Sequence, residues 1–454
     1  MLPILDARKD APQVNALRAK LSLKPLLLEG LDEGDETATS KFATVRQILR
    51  DIQREGDPAL LRYTEKFDKA TLTPDTLRVP QEVITTALGA APHSFLNALD
   101  IAIANIRRYQ QAMLTPDPKP IPALPPPPAK DGKPQSGGGG KLGMKFTPLR
   151  RVGLYVPGGA AAYPSSVLHT AIPAQVAGVK ELCLCTPLRD GLIAPAVLIA
   201  AAKLGITEIF AVGGAQAIAA MAFGTATIMP VDKIVGPGNT YVQLAKKELY
   251  GLVDIDSFAG PSEVIVLADD TAAPRHVAAE LLAQAEHAPG SCLLITPSLK
   301  LAQAVQQELE QQLPQLSREN LTRRSLQFGS ALIVTDSHQH ALQLVDSFAP
   351  EHLQISTATA REDARAIQNA GAIFIGPFTP VAAGDYLAGP SHVLPTSGTA
   401  RFFSGLSADS FRKRTSLIEF DQPTLATLAQ PIIDFAHTES FDAHAQSVTA
   451  RTSE

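Results

Sequence analysis

The stretch LLAQAEHAPG, residues 281–290, ends an apolar helical run in Gln284, Glu286 and His287 and then breaks at Pro289 and Gly290. On a helix Gln284 and His287, three apart, share a face, while Glu286 points elsewhere. An amide oxygen beside an imidazole can ligate a cation; a helix end reaching solvent is the plainer reading of the same residues. APEHLQI, residues 349–355, sets Glu351 beside His352 ahead of a strand-like apolar segment, and the pair could work as acid and base. AAGDYLAGPSHVLPT, residues 382–396, carries Asp385 and His392 in a loop broken by Gly and Pro, which a ligand could hold. TESFDAHAQSV, residues 438–448, carries Glu439 and His444, for which a solvated helix is the default. Each stretch alone has a bland explanation. Together they supply Gln, Asp, Glu and His at element ends, as a mixed nitrogen and oxygen metal site requires.

Other motifs are weaker. YVPGG (155–159) and FAVGGAQAI (210–218) each end a strand with two glycines before a helix. Such turns let backbone amides approach a phosphate. Neither is G-x-G-x-x-G, so the dinucleotide fingerprint is absent. VGPGNTY (235–241) reads as a turn first and a ligand loop second. Cys183 and Cys185 alternate on one strand, share a face and read as packing; zinc would call for C-x-x-C spacing.

The elements that must position these residues follow from periodicity. KFATVRQILRDIQREGDPALLRYTEKF (41–67) puts Val45, Ile48, Leu49 and Ile52 on one helical face, and Gly56-Asp57-Pro58 separates two helices. Residues 94–112 repeat the helical period. Residues 115–141 are proline-rich and then glycine-rich, an exposed loop with no means of burying a core. From residue 151 short apolar strands alternate with helices, first over 151–223 and again over 263–376, which indicates parallel sheets in two tandem αβ units. The last fifty residues lack strand alternation and read as a helical appendage.

At 454 residues the chain exceeds one ordinary core, so more than one domain is expected. A net charge of −5 gives no basic footprint for nucleic acid. The most apolar stretch is interrupted by Lys203 and Glu208, so no membrane span is expected. Three cysteines and no signal-peptide pattern at the N-terminus suit a cytoplasmic, reducing setting.

GLYVPGG, VDKIVGPGN, DSFAGPSEV, LLAQAEH, APEHL, AGDYLAGPSHVLPT and the tail FDAH, in this order over about residues 40–450, resemble the histidinol dehydrogenase family. The resemblance implies oxidation of L-histidinol to L-histidine through L-histidinaldehyde with NAD, the final step of histidine biosynthesis. It implies one zinc ion per active site, held by Gln284, His287, Asp385 and His444. Glu351 and His352 match the acid/base pair. Ser262, Glu439, His352 and the zinc ligands match substrate contacts, and Tyr155, Gln216 and Asn239 match NAD contacts. The implied fold class is α/β, with two incomplete Rossmann-like αβα domains in tandem plus helical N- and C-terminal segments. The expected division is a helical arm over 1–40, and a first Rossmann-like domain over 41–114 and 263–400 with the catalytic and zinc residues. A loop over 115–145, an NAD-binding Rossmann-like domain over 146–262 and a helical tail over 401–454 complete it. The resemblance also implies a homodimer with shared active sites, the tail reaching the partner's site. Two features depart from it: a long 115–141 segment, and Val381-Ala382 where relatives commonly carry a polar pair.

Chemistry is consistent with these roles. Oxidising an alcohol by hydride transfer needs a base for the hydroxyl proton, which suits His352. The aldehyde must then gain water, which a carboxylate such as Glu351 can activate. Zinc would mainly anchor the substrate. An alternative is a zinc hydrolase on an α/β fold, using the same ligand types without nicotinamide. A non-catalytic binding protein is a further rival, and the presence of Glu351 and His352 beside all four ligand types argues against it.

Overall fold

SEVIVLA, residues 262–268, is apolar beyond its first two positions, so it needs cover on both faces. Such a strand belongs inside a parallel sheet flanked by helices. The structure, a computed structural model, describes residues 2–23, 41–124, 139–158, 162–258, 260–287 and 290–452. In it Ser262–Ala268 lies inside a six-stranded sheet. The order is Ile4–Asp6, Ala331–Val334, Gly290–Thr296, Ser262–Ala268, His352–Ser356, Ala372–Ile375, with every neighbouring pair parallel. The chain winds outward from Ser262–Ala268 on one side, then returns to its other side at His352–Ser356. That reversal is a topological switch point. Helices Pro274–Ala285 and Leu299–Gln312 cover one face through residues such as Leu281 and Val305. Helices Ala11–Lys20 and His338–Phe348 cover the other through Val14, Ala341 and Val345.

A second parallel sheet orders Glu208–Phe210, Glu181–Cys185, Arg151–Tyr155, Lys233–Val235 and Asp254–Ile255. Its switch point falls between Arg151–Tyr155 and Lys233–Val235. There Gly236, at φ +120°, passes so close that a Cβ would overlap the Tyr155 carbonyl oxygen. Cys183 and Cys185 are buried free thiols in this sheet's core, so the C-x-C is packing.

Several expected boundaries move. Residues 41–114 were expected with the 263–400 domain. Instead Phe42, Val45, Ile48, Ile52 and Leu60 pack with Ile218, Met221 and Leu244 in the core of the five-stranded sheet. Helices Gln81–Gly89 and His93–Met113 likewise pack on Pro195–Lys203 and Pro164–Ala177. An amphipathic stripe specifies a buried face but not the sheet that buries it. The 1–40 arm is not wholly helical: Ile4–Asp6 is an edge strand, too short at three residues to show alternation. Residues 24–40 lie outside the described residues.

Residues 114–148 and 412–454 form a separate unit. The expected loop over 115–145 contains strand Ile121–Pro122 and the start of Lys141–Pro148. Residues 125–138 of the 115–141 Pro/Gly segment lie outside the described residues. The 401–454 tail expected to be helical contains strand Arg412–Glu419, antiparallel to Lys141–Pro148 from Arg412↔Pro148 to Glu419↔Lys141. Its exposure and charge hide it from hydrophobic periodicity. Two helices follow, Gln422–Thr438 and Asp442–Thr452, packed on each other. Among the described residues no helix is long and apolar enough to cross a membrane.

Candidate active site

Ser262 opens one strand and His352 opens its neighbour, so Ser262, Glu351 and His352 sit at the amino ends of the six-stranded sheet. Tyr155 and Val235 close strands of the other sheet, so the turns after them sit at its carboxyl ends. One cavity of about 330 Å³ joins the two ends. It is lined by Gly236, Gly238 and Asn239 on one side, and by Ser262, Glu351 and His352 on the other.

Helix Pro274–Ala285 follows strand Ser262–Ala268 and returns to the strand's amino end, bringing its last turn to the site. Gln284 is buried there, and the chain stays near-helical past Ala285, with His287 N–H donating to Gln284 O at 3.2 Å. The negative end of a helix dipole favours a nearby cation. Gln284, His287 and Asp385 line a neighbouring cavity of about 620 Å³; His287 and Asp385 also line the first. Asp385 lies on a short helix, Val381–Tyr386, rather than in a loop. Among the described residues no three His, Cys, Asp or Glu side chains form a cluster able to hold a metal ion. Glu439 and His444 lie in the other unit. Glu439 caps helix Gln422–Thr438, and His444 is in the first turn of Asp442–Thr452, its ring 5.1 Å from that of Phe441; both are exposed.

Hydrogen bonds orient the buried pair. Gln284 Nε2 donates to Ser262 Oγ at 2.8 Å, so the Ser262 hydroxyl proton goes to Glu351 Oε2 at 2.7 Å. Glu263 N–H also donates to Glu351 Oε2, at 2.9 Å. His352 Nδ1 lies 3.1 Å from the Glu263 carbonyl oxygen. A carbonyl only accepts, so Nδ1 carries the proton and Nε2 of the neutral ring keeps a lone pair. That Nε2 is 3.9 Å from Asp385 Oδ1.

Burial dominates the acid–base properties. It pushes the Glu351 carboxyl up, against the opposing pull of His352, the Ser262 hydroxyl and Glu263 N–H. It pushes Asp385 up, against His352 and His287. His287 keeps an exposed edge, yet desolvation pushes its imidazole down, against the charge of Asp385. His392 is pushed well down by burial and by His169, on which it stacks at 4.3 Å; its Nδ1 donates to Asp385 O.

The residues carried to the cofactor differ in setting. Tyr155 is buried and its hydroxyl accepts Gly214 N–H at 3.0 Å. Gln216 is buried, and among the described residues its Nε2 has no hydrogen-bond partner. Asn239 is exposed at the cavity and caps helix Thr240–Leu249 by accepting from Tyr241 and Val242 N–H. Sequence reasoning missed Glu263, although a lone carboxyl inside an apolar strand is a signal. It also missed Lys246 and Asp256. Lys246 Nζ donates to Gly236 O at 2.9 Å and pairs with Asp256, whose Oδ2 accepts Gly236 N–H at 2.7 Å. The pair thus clamps the peptide of the turn that lines the cavity.

The sequence profile of the histidinol dehydrogenase family matches residues 32–452. Histidinol dehydrogenase of Rhodopirellula baltica is 48% identical over 416 residues, covering 91% of this chain and 87% of the relative. That of Geobacillus kaustophilus is 44% identical over 441 residues, covering 97% and 99%. The crystal structure of histidinol dehydrogenase from Elizabethkingia anophelis superposes with a TM-score of 0.84 at 37% identity, covering 92% of this chain and 93% of that one. With a profile match across most of its length and relatives aligned nearly end to end, the chain belongs to the histidinol dehydrogenase family.

Proposed function

We propose that this chain oxidises L-histidinol to L-histidine through L-histidinaldehyde, by two hydride transfers to NAD⁺, with one zinc ion per active site. The observation that carries the reading is the Glu351–His352 pair. Hydrogen bonds leave His352 Nε2 as an open proton acceptor on the cavity that also meets Asn239. The donors suit zinc: Gln284 through its amide oxygen, His287 and Asp385 on adjoining cavities, with His444 of the partner subunit as the fourth ligand. Zinc held by these donors would anchor and polarise the substrate, and NAD⁺ would serve as the hydride acceptor.

His352 Nε2 takes the alcohol proton as the first hydride leaves. Glu351 then draws a proton from the water that adds to the aldehyde, and the hydrated aldehyde gives up the second hydride. Ser262 and Glu439 add substrate contacts. Tyr155, Gln216 and Asn239 contact NAD, whose place is the carboxyl ends of the five-stranded sheet. The same reading makes the enzyme a cytoplasmic homodimer; free thiols at all three cysteines suit that compartment. A zinc hydrolase would need the donors but no nicotinamide, and family membership leaves that alternative unsupported.

The test is nicotinamide absorbance with purified protein, NAD⁺ and L-histidinol, with and without chelator. Two NADH per histidinol, lost on chelation and restored by zinc, is expected. One NADH would remove the water-activating role of Glu351. None from folded, zinc-loaded protein would overturn the reading.

A further inference from the structure

Glu263 has no part in the steps above, yet it touches both groups that do. It is the second residue of strand Ser262–Ala268 and is buried. Its main-chain N–H donates to Glu351 Oε2 and its main-chain carbonyl accepts from His352 Nδ1. Any residue but proline could supply those two bonds. Its side chain does something only Glu or Gln could do here: Oε1 accepts Ser397 N–H at 3.0 Å and Glu351 N–H at 3.3 Å. One oxygen thus ties the strand to the backbone of Glu351 and to the turn after Thr396.

Both tied segments hold unfavourable backbone. Ser397 is left-handed at φ +56°, and Ala349, two residues before Glu351, at φ +51°. Non-glycine residues persist in that region only where the surroundings hold them. Without Oε1, two buried N–H groups lose their acceptor and must move to find another. Movement at Glu351 N turns the carboxyl that meets Ser262 and carries the adjacent His352 with it.

We propose that Glu263 is a positioning residue, whose side-chain oxygen sets the Glu351–His352 backbone so that both groups face the substrate. This rests on the acid/base reading of that pair. A purely structural role would lower the folded fraction and leave turnover per folded site unchanged.

The test uses the full-length, zinc-loaded enzyme carrying Glu263→Ala or Glu263→Gln. For Glu263→Ala, kcat is expected to fall at least tenfold, with KM for histidinol and NAD⁺ within about threefold and zinc content unchanged. Hydrogen exchange at the Glu351 and Ser397 amides is expected to quicken at least tenfold. Glu263→Gln keeps the acceptor oxygen, so its kcat is expected within about threefold of wild type. Folded Glu263→Ala with wild-type kcat would overturn the inference, as would equal losses in the Gln and Ala variants. If Glu263→Ala does not fold, Glu263→Asp replaces it: its carboxyl is one methylene short, the same loss is expected, and wild-type kcat would overturn the inference. If wild type yields no NADH, the functional reading fails. Amide exchange then decides the positioning role alone, and unchanged exchange in Glu263→Ala would overturn it.

Discussion

Replacing Glu263 by Gln is expected to flatten the pH dependence of stability. Burial, and then the charge of Glu351, pushes the Glu263 carboxyl up to about 8 from an ordinary 4.5. Two adjacent buried carboxyls cannot both ionise cheaply; both accept hydrogen bonds, but Glu351 alone also has the pull of His352, so Glu263 keeps the proton. Between pH 4.5 and about 8 the native state therefore binds one more proton here than the unfolded chain. The sign follows: this stabilisation is complete below pH 4.5, declines as pH rises and is gone above about 8. The slope is at most about 1.4 kcal/mol per pH unit, so wild type loses about 3 kcal/mol from this group between about pH 5 and 7. Gln has the shape of the neutral acid and does not titrate. Its stability relative to wild type should therefore rise by about 3 kcal/mol over that range. The chain has no tryptophan, so urea unfolding would be followed by far-UV circular dichroism at each pH, with zinc present throughout. Parallel pH profiles for the two proteins would refute the reasoning. A wild type that gains on the Gln variant from pH 5 to 7 would do so more strongly, because Glu263 would then be a carboxylate stabilised by its two amide donors.

Other substitutions separate the parts of the site. His287→Ala is expected to lose zinc and activity together, whereas His352→Asn keeps zinc by metal analysis and loses the first oxidation; loss of metal in the latter would contradict the assigned roles. Glu351→Gln should slow conversion of the aldehyde more than oxidation of the alcohol, read by supplying each substrate separately. Lys246→Met leaves Asp256 as a buried, unpaired charge and should cost about 3–5 kcal/mol, seen as a lower thermal midpoint; an unchanged midpoint would mean the pair is not a clamp. Gly236→Ala drives a Cβ into the Tyr155 carbonyl oxygen at a φ only glycine adopts easily. It should raise KM for NAD⁺ at least tenfold with KM for histidinol unchanged, and an equal rise in both would detach the turn from the cofactor.

The residues proposed to react stand out in the sequence because each is a ligating or titrating type at the end of an element. Gln284 and His287 sit at a helix end, and Glu351 precedes a strand that His352 opens. What orients them was not legible, because it depends on pairings distant in sequence. Glu263 stands out as a carboxyl in SEVIVLA, but its acceptor oxygen meets backbone 88 and 134 residues away, and no local pattern encodes that distance. Lys246 had the same problem: in YVQLAKKEL it reads as a solvated lysine, and its burial follows only once Asp256 and the Gly236 peptide arrive beside it. The stripe of Val45, Ile48, Leu49 and Ile52 correctly marked a buried face, yet helices of similar stripe fit either parallel sheet, so its place on the five-stranded sheet was a matter of tertiary packing. The packing of the two sheets matters most. Motifs place Ser262 and Glu351 at strand starts and Tyr155 at a strand end, but only tertiary packing brings amino ends of one sheet to the same cavity as carboxyl ends of the other. Local chemistry therefore nominates which side chains could react, while the backbone pairing that holds them, such as that of Glu263 with Glu351 and Ser397, is non-local.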